Sequence, residues 1–380
     1  MKRIFFIASI LCCTTFTACN SNDPEDPTIE VTDAADLDYS SAYAASWANY
    51  SRNVAALLKS DAERLSREWT DGFAEQFRTG RFSGSYNESL QQVLDGCIDI
   101  ANEVGTAKIG EPYDYWTEGK TTTAVYAVES WYSWHSRDDY SNNIKSVANS
   151  LLGTRLSGRL TAASATSAHA NSLYAYCSAL DAARTATLWQ SVVAAYDAIQ
   201  AIPQPFRNNI NSRETVAAMD ACRVLTENLE AMKGLIAAHT DEAGMKSVVE
   251  QYVDAVVLPT YADLARKNAA LYDAVVALGA APSNSTFAAA CEAWLAAREP
   301  WETSEAFLFG PVDELGLDPN MDSWPLDQDA IVKILTSGNY DSLNWSDGDD
   351  DDAIEAAQSL RGFHTLEFLL FKNGNPRTVK

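Results

Sequence analysis

The sequence predicts an all-α fold. Three observations carry this: from Ser40 onward apolar residues recur at intervals of three and four, strand-like alternation is hard to find, and alanine, the strongest helix former, is abundant. At 380 residues the chain is long enough that two helical bundles are expected rather than one.

The first element is a leader. Lys2 and Arg3 precede the apolar run "IFFIASILCC", then "TFTAC" ending at Cys19. This order is that of a secretory signal, too short to span a bilayer as a mature helix, and Phe16-Thr17-Ala18-Cys19 resembles a bacterial lipobox. Residues 1–19 therefore read as a lipoprotein signal peptide with Cys19 as the lipidated first residue; cleavage at another small residue, giving a soluble periplasmic protein, is the alternative. Asn20 follows rather than Asp, which by resemblance to lipoprotein sorting points to the outer membrane, on its periplasmic or its surface face. Residues 20–38, acidic and Pro-bearing, read as a flexible tether.

Amphipathic helices then follow over 41–69, 89–109, 142–153, 172–180, 186–202, 213–239, 244–278 and 285–298, with a last one in "RGFHTLEFLLF" at 361–371. Gly153, Pro203 with Pro205, Pro282 and the stretch from Pro300 to Pro325 interrupt them. Pro259 falls inside a helical pattern and should kink or split it. The 300–325 connection is long and aromatic-rich, the kind that is functional or packed as its own loop.

The balance of 28 Lys+Arg against 52 Asp+Glu gives a formal charge of −24, and loss of Lys2 and Arg3 with the leader makes it two units more negative. This charge disfavours nucleic acid as a partner, because phosphate binding rests on Lys/Arg neutralisation. A field of this sign concentrates cations, although it also serves solubility. Cys97, Cys177, Cys222 and Cys291 each sit in an apolar helical pattern without CxxC or Cys/His spacing, so they read as buried thiols, with a disulfide left open by export. The acidic run at 347–357, "DGDDDDAIEAA", lacks the Gly and Glu positions of an EF-hand and reads as a helix cap.

The chemistry concentrates in the last helix. His364 and Glu367 are one turn apart and share a face, inside a segment otherwise apolar on nearly every side. A buried carboxylate needs a cation, a hydrogen-bond network or a partner. Gly362 removes bulk where a ligand or another backbone could approach. Three readings compete: a metal site completed from elsewhere in the chain, a hydrolase in which His364 is general base or zinc ligand, and a pair that only hydrogen-bonds within a core. The hydrolase reading lacks HExxH or HxxEH, and the chain has only His135, His169, His239 and His364.

"GFHTLEFLLF" resembles the GxHxxE signature of the imelysin-like family, and "AWLAAREPWETSEAFLFGPVD" with "WPLD" resembles the segment that precedes it there. "YVDAVVLPTYADLARKNAALYDAV" is similar to the family's opening helix. "GTAKIGEP" and "AVESWYSWHSRDDYSNNIKSVANSLLG" resemble its later half, which carries an ESxxS element. The order here is reversed, with ESxxS first and GxHxxE almost last, so the sequence resembles a circularly permuted member. Permutation requires neighbouring ends; the region near Arg377 is expected beside the start of the fold, and a helix over 40–75 is expected to end near Trp69.

The resemblance implies two similar four-helix bundles, 39–80 with 241–380 carrying GxHxxE and 81–240 carrying ESxxS, with a site between them. It implies His364, Glu367 and Glu305 as metal ligands, and Glu129, Ser130, Ser133, Asp138 or Asp139, Arg298 and Trp324 as ligand-binding or orienting groups. The alternatives are an interhelical hydrogen bond for Glu129 and an ion pair with Glu302 for Arg298. The family is grouped historically with metallopeptidases, and relatives are linked to iron uptake. One imidazole among carboxylates and hydroxyls is a hard donor set, matching iron better than zinc, so binding of a metal ion or a small metal-bearing ligand, passed to a membrane transport partner, is favoured over peptide hydrolysis. A third reading is glycan binding through Trp131, Tyr132, Trp134 and Tyr140, if they form an exposed platform.

Overall fold

A computed structural model describes residues 37–346 and 349–379. The expected leader with Cys19, nearly all of the expected tether, and Asp347 and Gly348 of the acidic run lie outside the described residues. The fold is all-α; the strands among the described residues are a two-residue ladder of Phe371–Lys372 with Asn375–Pro376.

The first long helix, Ala44–Glu68, buries Trp47, Tyr50, Val54, Leu58 and Leu65, a stripe at three- and four-residue spacing that follows from the sequence pattern. A π-type turn at Trp69–Phe73 follows, setting Trp69 edge-on to Phe73. This helix packs along Leu258–Ala280, which in turn packs on Asn284–Glu302. The break expected at Pro259 is present as a π-type turn, Val253–Val257, between Glu242–Tyr252 and Leu258–Ala280. It leaves Pro259 in a first turn, where its missing N–H costs nothing. The helix expected to stop at Pro300 instead continues to Glu302, and this extra turn sets Arg298 and Glu302 on one face.

A second group forms a ring of four helices. Tyr86–Glu103 packs on Arg213–Ala237, that on Ala182–Ala201, that on Ser136–Leu152, and the last returns to Tyr86–Glu103. Ser136–Leu152 also contacts Asn284–Glu302 of the first group, so it is enclosed on nearly all sides. This explains why it buries Asp139, Asn143 and Lys145 beside Ile144 and Val147: these polar side chains reach Arg298, Glu302 and Glu299 across the seam between the groups, whereas the buried Asn149 accepts from the Leu156 N–H of the following loop.

The first and last stretches of the described residues meet. The Arg377 guanidinium donates to the carbonyls of Phe368, at 2.9 Å, and Leu37, and Lys372 pairs with Asp38 at 3.0 Å. The acidic run caps the helix Asp351–Gln358 through Asp350, which accepts from the N–H of Ala353 at 3.0 Å. The four cysteines among the described residues are all buried and unpaired there, and burial pushes the Cys97, Cys177 and Cys222 thiols up to about 12. Trp131, Tyr132 and Tyr140 are buried and Trp134 is half-buried, so these rings do not form an exposed platform for a glycan. No described helix is long and apolar enough to cross a membrane.

Candidate functional site

The motif helix, Gly362–Leu370, is wedged against Leu317–Asp322, Asn284–Glu302 and Ala44–Glu68. Gly362 makes this approach feasible: it has φ +88°, and a Cβ there would lie 2.6 Å from the Met321 carbonyl oxygen. The Trp294 indole donates to the Phe363 carbonyl at 3.0 Å and fixes the first turn. His364 is thereby held beside Asp322, and both His364 and Glu367 are buried.

Glu367 is fully engaged. One oxygen lies 3.1 Å from His364 Nδ1, and the other accepts from the N–H and the hydroxyl of Ser133, each at 2.7 Å. The loop that offers Ser133 is tightly wound, with Ser130 and Trp134 at φ 53° and 60°. Left-handed backbone at non-glycine residues costs about 1–3 kcal/mol each. The Ser136 hydroxyl donating to the Glu129 carbonyl at 2.5 Å helps hold it.

The other ring nitrogen, Nε2, faces a different set. It lies 3.1 Å from Asp322 Oδ1 and 3.3 Å from Glu129 Oε1, with an Arg298 terminal nitrogen also at 3.3 Å. The buried Arg298 guanidinium reaches Glu129 and Glu302 at 2.6 Å, Asp139 at 3.3 Å, and Asp322. Lys108 adds a contact to Glu129 at 3.1 Å, and the Ser130 hydroxyl donates to Asp139 at 2.5 Å. The Asn143 amide donates to Glu302 at 2.5 Å, and the Trp301 indole to Asp322 at 2.7 Å.

In front of this network lies a cavity of ≈ 550 Å³. Glu129, Glu305, Asp318 and Asp322 line it, with Lys108 and with Tyr115, Tyr126 and Trp324. His364 stands behind them, its ring edge-on to Trp324 at 4.9 Å. Glu305 is 7% exposed and has no hydrogen bond or ion pair among the described residues. Its turn, Glu305–Phe307, sits against Tyr86–Glu103 because Gly96 presents no side chain to the Ala306 carbonyl.

The electrostatics follow from crowding. Burial and Arg298 oppose a charge on His364, yet Asp322 and Glu129 prevail and hold its pKa well above the usual imidazole range. Against burial, Lys108, His364 and Arg298 keep Glu129 well below the carboxylate range, and Arg298 with His364 keep Asp322 below it. Burial, reinforced by neighbouring carboxylates, pushes Glu302 and Glu305 well up and Asp318 to about 7. The buried acids outnumber the cations Arg298, Lys108 and His364, so the cluster is short of positive charge.

These directions fix a pH profile. Glu129 and Asp322, with depressed values, contribute stability present above about pH 4 and lost as the pH falls through their folded values. His364, Glu302, Glu305 and Asp318, with raised values, contribute stability present at low pH and lost as the pH rises through theirs. Urea midpoints should therefore peak on the mildly acidic side and decline through neutrality, and Asp318→Asn should flatten the decline around pH 7. An unchanged slope in that variant would contradict the assignment.

The structure brings His364, Glu367, Glu129, Ser130, Ser133, Asp139 and Arg298 into one network, with Trp324 against the imidazole and donating to the Ala127 carbonyl at 3.2 Å. Asp138 lies outside it, accepting from Gln200 at 3.2 Å and facing His135 at 3.6 Å. The ion pair of Arg298 with Glu302 is present, as one contact of four. Two sets of donor atoms lie within 4.8 Å of one another: Glu129, Asp322 and His364, and Glu302, Glu305 and Asp322. Glu305 thus groups with Glu302 and Asp322, while both Glu367 oxygens are engaged away from Nε2. Asp322, Glu302, Lys108 and Asp318 were not among the residues the sequence singled out as ligands; the available signal for Asp322 was its place two residues before Trp324.

Comparison with known proteins gives the family to which this fold belongs. The crystal structure of an imelysin peptidase from Bacteroides ovatus shares 52% identity with the chain, covers 92% of it and 100% of its own length, and superposes with a TM-score of 0.88. Iron-regulated protein A of Synechococcus elongatus is 32% identical over 128 residues, 34% of this chain; the match spans about a third of that relative, 32% of its length. The family model described as Imelysin matches residues 25–232 and 257–380, so the chain belongs to the imelysin family.

Proposed function

We propose that this protein binds a hard, oxygen-preferring metal ion, iron before zinc, or a small metal-bearing ligand, at the acidic cleft, and that it does so for uptake rather than to catalyse a reaction. The observation that carries this is the surplus of buried carboxylate over buried cation around the cavity, with Glu305 left unpartnered in its wall. A bound cation supplies the missing positive charge where protons otherwise supply it.

The donors fit such an ion. Asp322 belongs to both donor sets, so Glu305 and Glu302 on one side and Glu129 and His364 Nε2 on the other would hold it. Glu367, bonded at Nδ1, would keep the imidazole oriented with Nε2 toward the carboxylates, the usual outer-shell duty of a carboxylate behind a histidine ligand. Arg298 competes for Glu129 and Asp322, which favours the Glu305 side as the point of entry. Nε2 must lose its proton to ligate, so affinity should rise with pH. Similarity to an iron-regulated protein supports iron as the metal.

The envelope reading belongs to the same proposal: a lipid anchor at Cys19, an outer-membrane location, and a membrane transport protein that receives the cargo. The permuted order is likewise our reading, supported by the adjacency of Arg377 and Leu37.

Titration of the purified protein with Fe²⁺, Fe³⁺ and Zn²⁺ tests the proposal. The His364→Ala/Glu367→Ala variant should bind iron at least about tenfold more weakly, the lower bound for losing such a supporting group. A wild type that binds no better than this variant removes the metal reading. The description of the Bacteroides ovatus relative as a peptidase favours a second reading, metal-dependent peptide hydrolysis through His364 and Glu367. Cleavage that survives repurification and disappears in the same variant would establish it.

A further inference from the structure

The cavity is far larger than an ion requires. A water molecule occupies about 30 Å³ in the liquid, whereas this cavity measures ≈ 550 Å³ and falls among sites that enclose organic ligands. Its wall has two characters. Glu111, Glu129, Glu305, Asp318 and Asp322 supply carboxylates, and Tyr115, Tyr126 and Trp324 with Leu308 and Pro325 supply aromatic and apolar surface. Carboxylates facing aromatic rings make a receptor for an alkylammonium, whose charge pairs with the acids while its methylene stem lies on the rings.

The protein's own lysines already use this chemistry. The Lys108 ammonium sits in the wall 3.1 Å from Glu129 and 3.8 Å from Glu103. The Lys120 ammonium stands over the Tyr115 ring, 5.6 Å from its centroid. Glu305 is the buried acid of this wall that makes no hydrogen bond or ion pair among the described residues, with Lys108 acting on it only from a distance, and Asp318 beside it is likewise without one.

We propose that the cavity is also a binding site for a linear alkyl polyamine, with one ammonium group seated at Glu305 and Asp318 and the alkyl chain along Tyr115, Tyr126 and Trp324. This site goes beyond the metal reading: it shares Glu305 and the neighbouring wall acids with it, but it uses the aromatic wall and does not need His364, Glu302 or Glu367, which do not line the cavity.

The test is calorimetric titration of chelator-treated, full-length protein with spermidine, in parallel with the uncharged 1,8-octanediol. One saturable spermidine site is expected, with no comparable diol binding. Glu305→Gln should weaken it at least tenfold. Ala107→Phe, at the half-exposed rim, should block it through a position that carries no charge. Asp351→Asn/Asp352→Asn, on an exposed acidic turn, should leave it unchanged. Absence of saturation at millimolar spermidine overturns the proposal. So does binding that neither Glu305→Gln nor Ala107→Phe reduces, since that describes general attraction of a polycation to an acidic protein. Iron titration without polyamine reads the metal proposal separately, so failure of one leaves the other measurable.

Discussion

Arg298→Met is expected to destabilise the protein by about 3–5 kcal/mol at pH 7.5, the usual cost of removing one member of a buried ion network. The guanidinium is completely buried and reaches Glu129, Asp139, Glu302 and Asp322 together. Methionine fills much of the volume but strands those carboxylates, and Lys108 reaches only Glu129 among them. The loss should shrink at pH 5, where stranded acids can take up protons instead. Arg298→Lys should rescue little, because a single ammonium cannot reproduce a planar fork of donors. Urea unfolding followed by tryptophan fluorescence at the two pH values checks this. A loss below about 1 kcal/mol at both would show that the network is not what holds this seam.

Asp322→Asn should have the largest effect on binding. Asp322 joins both donor sets, touches His364 Nε2 at 3.1 Å and is held by Arg298 and Trp301. The amide keeps the shape and removes the charge, so iron affinity should fall by at least about 100-fold, the upper end of what a merely supporting group would cost. In metal-free protein the same change should lower the His364 pKa, because Asp322 is the leading partner that raises it. Histidine NMR titration reads this independently of metal. An unshifted imidazole with unchanged iron affinity would place the site elsewhere in the cleft.

The helices were legible because their apolar stripes are long and regular, as in Ala44–Glu68 and Arg213–Ala237. His364 with Glu367 was legible because charge in an apolar helix is conspicuous, and family resemblance carried the reading across to Glu129, Ser133 and Arg298. What sequence could not supply was the division of labour. Whether Glu367 meets an ion or steadies the ring depends on which side of the imidazole Ser133 approaches, a long-range fact fixed by loop geometry. Asp322 and Asp318 lie in a connection without periodicity, where acids ordinarily face solvent. Lys108 follows a helix and sits in a π-type turn, Val104–Lys108, whose extra residue redirects its side chain toward the cavity. The stop expected at Pro300 failed because tertiary burial carried the helix through it to Glu302.

The enclosed helix Ser136–Leu152 also governs how the molecule comes apart. Its hydrophilic side chains belong to both packing groups, so separating the groups would bare Asp139 and Asn143 on one surface and Arg298 and Glu302 on the other, with neither surface able to survive as an independent core. Loss of order should therefore spread across the whole molecule in one cooperative event, and a ligand that grips the cleft would act as a rivet through both halves.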